Sequence, residues 1–201
     1  MSIIKNAICA FACLIMGAAA SFAANSTADA NWQFVLPEYT HISPVTSPVL
    51  TAHVTDRTGN LYTPLHARFK VVTNAVENKQ LYLNAKVVTD GGYEDAMFMQ
   101  GGQVYVAFAN LSKLPTSSSL LNCKLGAAPK DSPGVVAYPV TSVNGAENKY
   151  LEGKNRYEVT VKNGTTLIDI NIGSNVLKTS FASNDQRGFY QAVLSLTEAD
   201  I

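Results

Sequence analysis

The chain has 201 residues and a balanced charge, with 15 Lys and Arg against 15 Asp and Glu. This balance gives no electrostatic footprint for nucleic acid or for an anionic membrane surface, so neither is expected as a partner. No cofactor is expected either. The sequence contains neither a Gly-x-x-x-x-Gly-Lys-Ser/Thr phosphate loop nor a Gly-x-Gly-x-x-Gly dinucleotide loop.

The first residues have the composition of an export signal. Lys5 is the one charge ahead of an apolar stretch from Ala7 to Ala20, and Ser21-Phe22-Ala23 offers the small residues that a signal peptidase reads. The apolar stretch is shorter than the roughly 20 residues that a membrane-spanning helix needs. We therefore expect a signal peptide over residues 1–23, cleavage after Ala23 and export through the periplasm.

The remaining reactive side chains do not form a catalytic or metal-binding pattern. Cys9 and Cys13 fall in the signal peptide, which leaves Cys123 as a lone thiol that we expect to be buried and unpaired. No Gly-x-Ser-x-Gly elbow occurs, and Asp169 is expected to face solvent on a strand whose isoleucines face the core. The three histidines lack metal-ligand spacing and are expected to be structural or surface residues: His41, His53 and His66. The sequence predicts that the protein is not an enzyme and holds no metal.

Short runs of β-forming residues, separated by Gly, Asn, Asp and Pro, fill most of the chain after residue 46. Period-2 alternation is clear in Leu81–Val87 and in Leu167–Ile172. Asn163-Gly164 predicts a hairpin turn, and Leu111–Ser132 predicts a long surface loop with at most a turn of helix. The pattern favours an all-β sandwich or barrel. Ten strands are expected: Val49–Thr55, Arg68–Thr73, Gln80–Thr89, Asp95–Met99, Gln103–Ala109, Gly134–Val140, Arg156–Lys162, Thr165–Ile172, Asn175–Phe181 and Gly188–Thr197.

Two apolar segments lie near the ends of the mature sequence. In the first, which we call the arm, the even positions are apolar until Pro37 ends the run: Ala28, Ala30, Trp32, Phe34 and Leu36. In the second, Gly188–Thr197, one face carries four apolar side chains: Tyr190, Ala192, Leu194 and Leu196. A strand this apolar should be paired on both sides, either by an earlier segment of the same chain or by another molecule.

Both segments resemble parts of chaperone–usher fimbrial (pilin) subunits. The similarity lies in the arm, especially Ala30-Asn31-Trp32-Gln33-Phe34, and in a last strand of the form Gly-x-Tyr-x-x-x-Leu-x-Leu beginning at Gly188. The lack of an internal disulfide is similar to the alternate-chaperone branch, which includes colonisation-factor pilins. The resemblance implies an immunoglobulin-like β-sandwich that lacks one strand and is completed by a donor strand from another chain. It assigns the five apolar arm residues as donors and the four apolar residues of Gly188–Thr197 as one side of the acceptor groove.

The resemblance also implies the organisation and partners of the chain. Residues 1–23 would be the signal peptide, residues 24–45 the donor arm and linker, and residues 46–201 the pilin domain. The expected partners are neighbouring copies or other fimbrial subunits, a periplasmic chaperone, an outer-membrane usher and a host glycan or protein receptor. The chain would then be a structural subunit of a cell-surface fimbrium that supports adhesion.

A second interpretation stays open. Residues 28–36 would then be the first strand of a complete sandwich, folded onto their own chain. The protein would be an exported monomeric adhesin or lectin-like module, with aromatic residues such as Tyr93 and Tyr105 as candidate receptor contacts.

Overall fold

Twelve strands, one α-helix and a short 3-10 turn make up the described part of the chain. The computed structural model describes residues 33–54, 58–124, 132–178, 181, 185 and 188–198, so the expected signal peptide lies outside it. The helix α1 is Ser117–Lys124 and the 3-10 turn is Glu152–Lys154. The expected all-β class is confirmed. The strands are β1 (Thr40–Pro44), β2 (Val49–Val54), β3 (Leu65–Thr73), β4 (Lys79–Thr89), β5 (Gly92–Asp95), β6 (Met97–Gln100), β7 (Gln103–Asn110), β8 (Val135–Asn144), β9 (Glu147–Leu151), β10 (Arg156–Val161), β11 (Gly164–Ile172) and β12 (Gly188–Thr197).

The strands join in an open antiparallel sheet whose order is β1-β3-β11-β8-β7-β12-β4-β10-β9. Three further strands attach to this path, β2 to β12, β5 to β4 and β6 to β7. The long strand β8 links the two halves of the order. Its Val140–Asn144 part pairs with β11, whereas its Val135–Pro139 part pairs with β7.

The core is built from the alternate side chains of the long strands. On β4, Leu81, Leu83, Ala85 and Val87 are buried while the residues between them are half-buried. The strands β11 and β12 have the same period over most of their length. Alternation of this kind places every second side chain on one face of a sheet, which is why these strands could be predicted from sequence.

The first two strands are one segment that changes partner. Strand β1 pairs with β3, and strand β2 pairs with β12. The connection between them is fixed to Arg68, whose carbonyl accepts from the Val45 amide at 2.8 Å and whose amide donates to the Thr46 hydroxyl at 2.8 Å. Thr40–Pro44, which falls within the expected arm and linker of residues 24–45, is a paired strand. Two units are distinguished in the chain, residues 1–36 and residues 37–201.

The expected hairpin at Asn163-Gly164 is wrong. Strand β10 before it pairs with β4 and β9, and strand β11 after it pairs with β3 and β8. Gly164 has a φ of +109°, a conformation that glycine readily adopts, but Asn163 lacks the positive φ that a type I′ hairpin turn needs at both central residues. The Asn163-Gly164 link instead connects two separate parts of the sheet.

Two other expectations fail in the second half of the chain. The described part of Asn175–Phe181 is not a strand, although the Leu177 amide donates to the Ala137 carbonyl at 2.8 Å. Within Leu111–Ser132, expected as a loop, the helix α1 forms because it buries Leu120 and Cys123 against the core. The Thr116 hydroxyl accepts from the Ser119 amide at 3.4 Å and so supports its first turn. Tertiary burial here outweighs the weak helix propensity of the serine run.

Candidate strand-docking site

The four apolar residues of β12 all face the core. Tyr190, Ala192, Leu194 and Leu196 are buried, and they alternate with half-buried residues. The structure therefore brings the four predicted acceptor residues together on one face of one strand. Their burial agrees with the alternation that singled them out.

The strand beside this face is β2 of the same chain. Ala52 lies directly opposite Tyr190, and Leu50 lies directly opposite Ala192. The Leu194 amide then donates to the Pro48 carbonyl at 2.9 Å. The sequence left open whether an earlier segment or another molecule pairs with β12. On this side an earlier segment, Val49–Val54, pairs with β12, whereas the described part of the arm, residues 33–36, belongs to no strand.

The other side of β12 is shared between two strands. Val193–Thr197 pairs with β4, whereas Tyr190 and Gln191 pair with the end of β7. The strand is thus central over its first half, with β2 on one side and β7 on the other. Its apolar face is accordingly buried, and its first half is paired on both sides.

Pairing on the β2 side ends before β12 does. Because the Leu194 amide points toward Pro48, the peptide groups of Leu196, two residues further on, point the same way. No described strand lies beside Leu196 on that side. Among the described residues, β2 therefore covers this edge of β12 up to Leu194 and does not reach Leu196.

The described part of the arm is extended and exposed. Phe34, Val35 and Leu36 are 90%, 84% and 77% exposed, and residues 33–39 belong to no strand. The other predicted donor residues, Ala28, Ala30 and Trp32, lie outside the described residues. Three successive exposed apolar side chains are unusual on a protein surface.

The segment that follows the arm is held firmly to the sheet. The Asn74 side chain donates to the Pro37 carbonyl at 3.0 Å and accepts from the Tyr39 amide at 2.7 Å. The Glu38 carboxylate forms an ion pair with Lys79. The exposed apolar residues therefore come directly before a fixed point in the chain.

A buried ion pair lies in the segment leading into β12, and sequence reasoning did not find it. Lys178 Nζ lies 2.5 Å from Asp185 Oδ2, and the two side chains are 0% and 2% exposed. The Gly134 amide donates to the other oxygen of Asp185 at 3.1 Å, and the Phe181 ring lies 4.9 Å from Lys178 Nζ. The sequence did not predict this ion pair, because Asp185 lies in a stretch without hydrophobic periodicity and nothing in the pattern links it to Lys178.

The other reactive residues have structural surroundings. Cys123 is buried and unpaired, as expected, and burial raises the pKa of its thiol. Asp169 is on the outer face, as expected, but it binds Arg68 through two contacts of 2.6 and 3.0 Å and His66 at 2.8 Å. The Arg68 guanidinium holds the pKa of the Asp169 carboxyl below its usual range. The His53 ring packs edge-on against Phe189 at 4.2 Å.

Within the described ranges, no group of three or more His, Cys, Asp and Glu residues is arranged to hold a metal ion. In the same part of the chain, no helix has the length and apolar character needed to span a bilayer. Among the aromatic residues considered for a receptor-binding face, Phe98, Phe108 and Tyr138 are buried and Tyr105 is half-buried, whereas Tyr93 is exposed.

No protein-family model, curated protein or solved structure gave a significant match to this chain.

Proposed function

We propose that this protein is a structural subunit of a surface fimbrium and that it polymerises by strand donation. The observation that carries the proposal is the exposure of Phe34, Val35 and Leu36 directly before the fixed segment Pro37–Tyr39. An apolar segment at such a position is suited to bury itself in another molecule. In this proposal the domain is an immunoglobulin-like β-sandwich, and the strand that completes it comes from a neighbouring subunit.

The energy available from the arm supports this role. Burying Phe34 and Leu36, together with Trp32, would contribute about 1.5–3 kcal/mol for each side chain, or on the order of 5–10 kcal/mol as an upper value. Backbone hydrogen bonds at a sheet edge would add affinity, and the alternate side chains would set the register. A gain of this size is comparable with the stability of a typical domain.

The acceptor in this proposal is the core-facing side of β12, with Tyr190, Ala192, Leu194 and Leu196 beneath the incoming strand. An arm that binds a different surface on the next copy makes a head-to-tail contact that does not close, and such contacts build fibres. Export would follow from the signal peptide at residues 1–23. A periplasmic chaperone would protect the edge of β12, and an outer-membrane usher would assemble the fibre.

A second candidate function is favoured by a different observation. Strand β2 covers β12 from Gly188 to Val193 within one chain, as expected for a complete sandwich. The protein would then be an exported monomeric adhesin or lectin-like module, and the exposed Tyr93 is a candidate receptor contact. This function requires no assembly.

Assembly of the mature chain, residues 24–201, distinguishes the two candidates. Under the proposal, purified protein forms oligomers and fibres as its concentration rises, and Phe34→Asp abolishes them because a carboxylate would enter an apolar groove. Gln33→Asp is the matched control, since it changes the opposite face of the arm and should leave assembly within about twofold of the unchanged chain. Light scattering and electron microscopy measure the outcome. A chain that stays monomeric at every concentration, or a Phe34→Asp variant that assembles normally, would refute strand donation.

A further inference from the structure

Strand β2 occupies the position that an incoming donor strand needs. The residues opposite it on β12 are those assigned to the acceptor groove. Tyr190 lies opposite Ala52 and Ala192 lies opposite Leu50. The Leu194 amide donates a hydrogen bond to the Pro48 carbonyl. Only Leu196, the fourth acceptor residue, lies beyond the reach of β2. Strand donation to this edge therefore requires that β2, which is already paired there, be displaced.

Strand β2 has the same pattern as the arm but a smaller apolar face. In β2, Leu50 and Ala52 are buried, whereas His53 is exposed on the outer face of the strand. The arm offers Phe34 and Leu36 at the same spacing. Both segments alternate with period 2, so either one can present apolar side chains to the core of one sheet while its peptide groups bond to β12. The arm has more apolar surface to bury.

The described attachments of β2 are few. It pairs with β12 alone, whereas β4 pairs with β12 on one side and with β10 and β5 on the other. Pro48 has no amide hydrogen, so its position opposite Leu194 supplies one backbone hydrogen bond where another residue would supply two. An edge strand with one partner and an incomplete set of hydrogen bonds at Pro48 has fewer contacts to lose than a central strand such as β4.

We propose that β2 is a removable occupant of the β12 edge, which keeps an isolated chain closed until the arm of a second copy displaces it. This inference rests on the proposed function and adds its regulation. The occupant that replaces β2 is residues 28–36 of another copy, because that segment has the matching alternation and the larger side chains. Closure by β2 would protect the apolar face of β12 from unspecific association before assembly.

A reversible covalent lock tests the inference. Thr51 and Gln191 are directly opposite each other on the outer face of β2 and β12. Because the Leu194 amide bonds to Pro48, Thr51 and Gln191 form one of the non-hydrogen-bonded pairs that alternate with the hydrogen-bonded pairs. The Cα atoms of such a pair are about 4.5 Å apart, a separation that a disulfide can span. The double variant Thr51→Cys/Gln191→Cys therefore fixes β2 to β12 when oxidised and releases it when reduced. Gln80→Cys/Thr160→Cys, directly opposite on β4 and β10, is the matched control because that pair stays closed in any case.

The measurement is binding of a labelled synthetic peptide, residues 28–36, to each mature variant by fluorescence anisotropy at a dilution where the protein is monomeric. We expect oxidation to weaken peptide binding at least tenfold in the Thr51/Gln191 pair and to leave it unchanged in the control pair. Equal binding by the oxidised and reduced Thr51/Gln191 variant would overturn the inference while leaving strand donation intact. If neither variant binds the peptide in either state, the proposed function fails and this inference with it. Should the first pair not fold, His53→Cys/Phe189→Cys is a second lock at directly opposite positions.

Discussion

The buried ion pair between Lys178 and Asp185 gives the sharpest prediction about stability. Both side chains are almost completely buried and their charged atoms are 2.5 Å apart. Removing one charge from such a pair leaves the other in a medium where it is poorly solvated. The loss is typically about 3–5 kcal/mol, which is much larger than the net contribution of the intact pair.

The substitution that isolates this effect is Asp185→Asn. It keeps the shape of the side chain and an oxygen that can accept from the Gly134 amide, but it removes the negative charge beside Lys178. We expect the free energy of unfolding to fall by about 3–5 kcal/mol, out of the 5–15 kcal/mol that is usual for a domain. The double variant Lys178→Met/Asp185→Leu removes both charges and should recover most of that loss.

Urea unfolding of the monomeric mature chain, followed by circular dichroism, measures these differences. Lys79→Met is the control, since it breaks the ion pair with Glu38, which is partly exposed on both sides and should cost no more than about 1 kcal/mol. A loss below about 1 kcal/mol in Asp185→Asn would contradict the reasoning. So would a double variant whose loss equals the sum of the losses in Lys178→Met and Asp185→Leu, because the coupling between the two charges would then be zero.

Two further predictions concern features that the sequence described incompletely. Because Arg68 lowers the pKa of Asp169, the carboxylate stabilises the fold above its unfolded pKa of about 3.9, and this contribution is lost as the pH falls through the folded pKa. The difference in unfolding free energy between the unchanged chain and Asp169→Asn should therefore be present at pH 7 and shrink below about pH 4; a difference that is constant with pH would contradict this. For α1, Leu120→Ala should cost about 2–5 kcal/mol in the same urea assay because Leu120 is buried, whereas Leu121→Ala, at an exposed position, should stay within about 0.5 kcal/mol. Equal losses would show that α1 does not pack as described.

The strands that were predicted correctly are those with one buried face. Leu81–Val87 and Leu167–Ile172 alternate because one side of each strand meets the core, and the same property makes them visible in the sequence. Strands β1 and β9 were missed for the opposite reason. Their residues are half-buried or exposed, and their partners β3 and β10 supply the backbone hydrogen bonds that define them. A strand that is defined mainly by its backbone hydrogen bonds shows no alternation of apolar and polar side chains in the sequence.

The helix α1 and the link at Asn163-Gly164 show a second limit of the sequence. A serine run after proline has little helix propensity, and the burial of Leu120 and Cys123 that stabilises α1 depends on distant strands. Likewise, Gly164 has a positive φ, but Asn163 does not, and the neighbours of β10 and β11 are fixed by contacts elsewhere in the sheet. Long-range packing therefore determined both the helical conformation of α1 and the partners of β10 and β11.

The same distinction applies to the strand-docking site. Alternation in Gly188–Thr197 identified the buried face of β12, which the structure places as expected. It left open which strand lies beside that face. Both the arm and β2 carry apolar residues at every second position, so the side-chain pattern fits either one, and the choice depends on the energetic balance between them.

That balance has a physical consequence for assembly. Pairing of β2 with β12 is intramolecular, so its strength does not change with protein concentration, whereas pairing with the arm of another copy becomes more favourable as the concentration rises. The closed chain should therefore dominate at low concentration. When the arm displaces β2, Phe34 and Leu36 take the places of Leu50 and Ala52 and bury more apolar surface because they are larger. The same gain is made again at each contact between subunits of a fibre. One edge of β12 therefore accounts for both a closed monomer and a stable polymer. At this edge the more weakly held β2 and the arm of another copy compete for the same backbone hydrogen bonds.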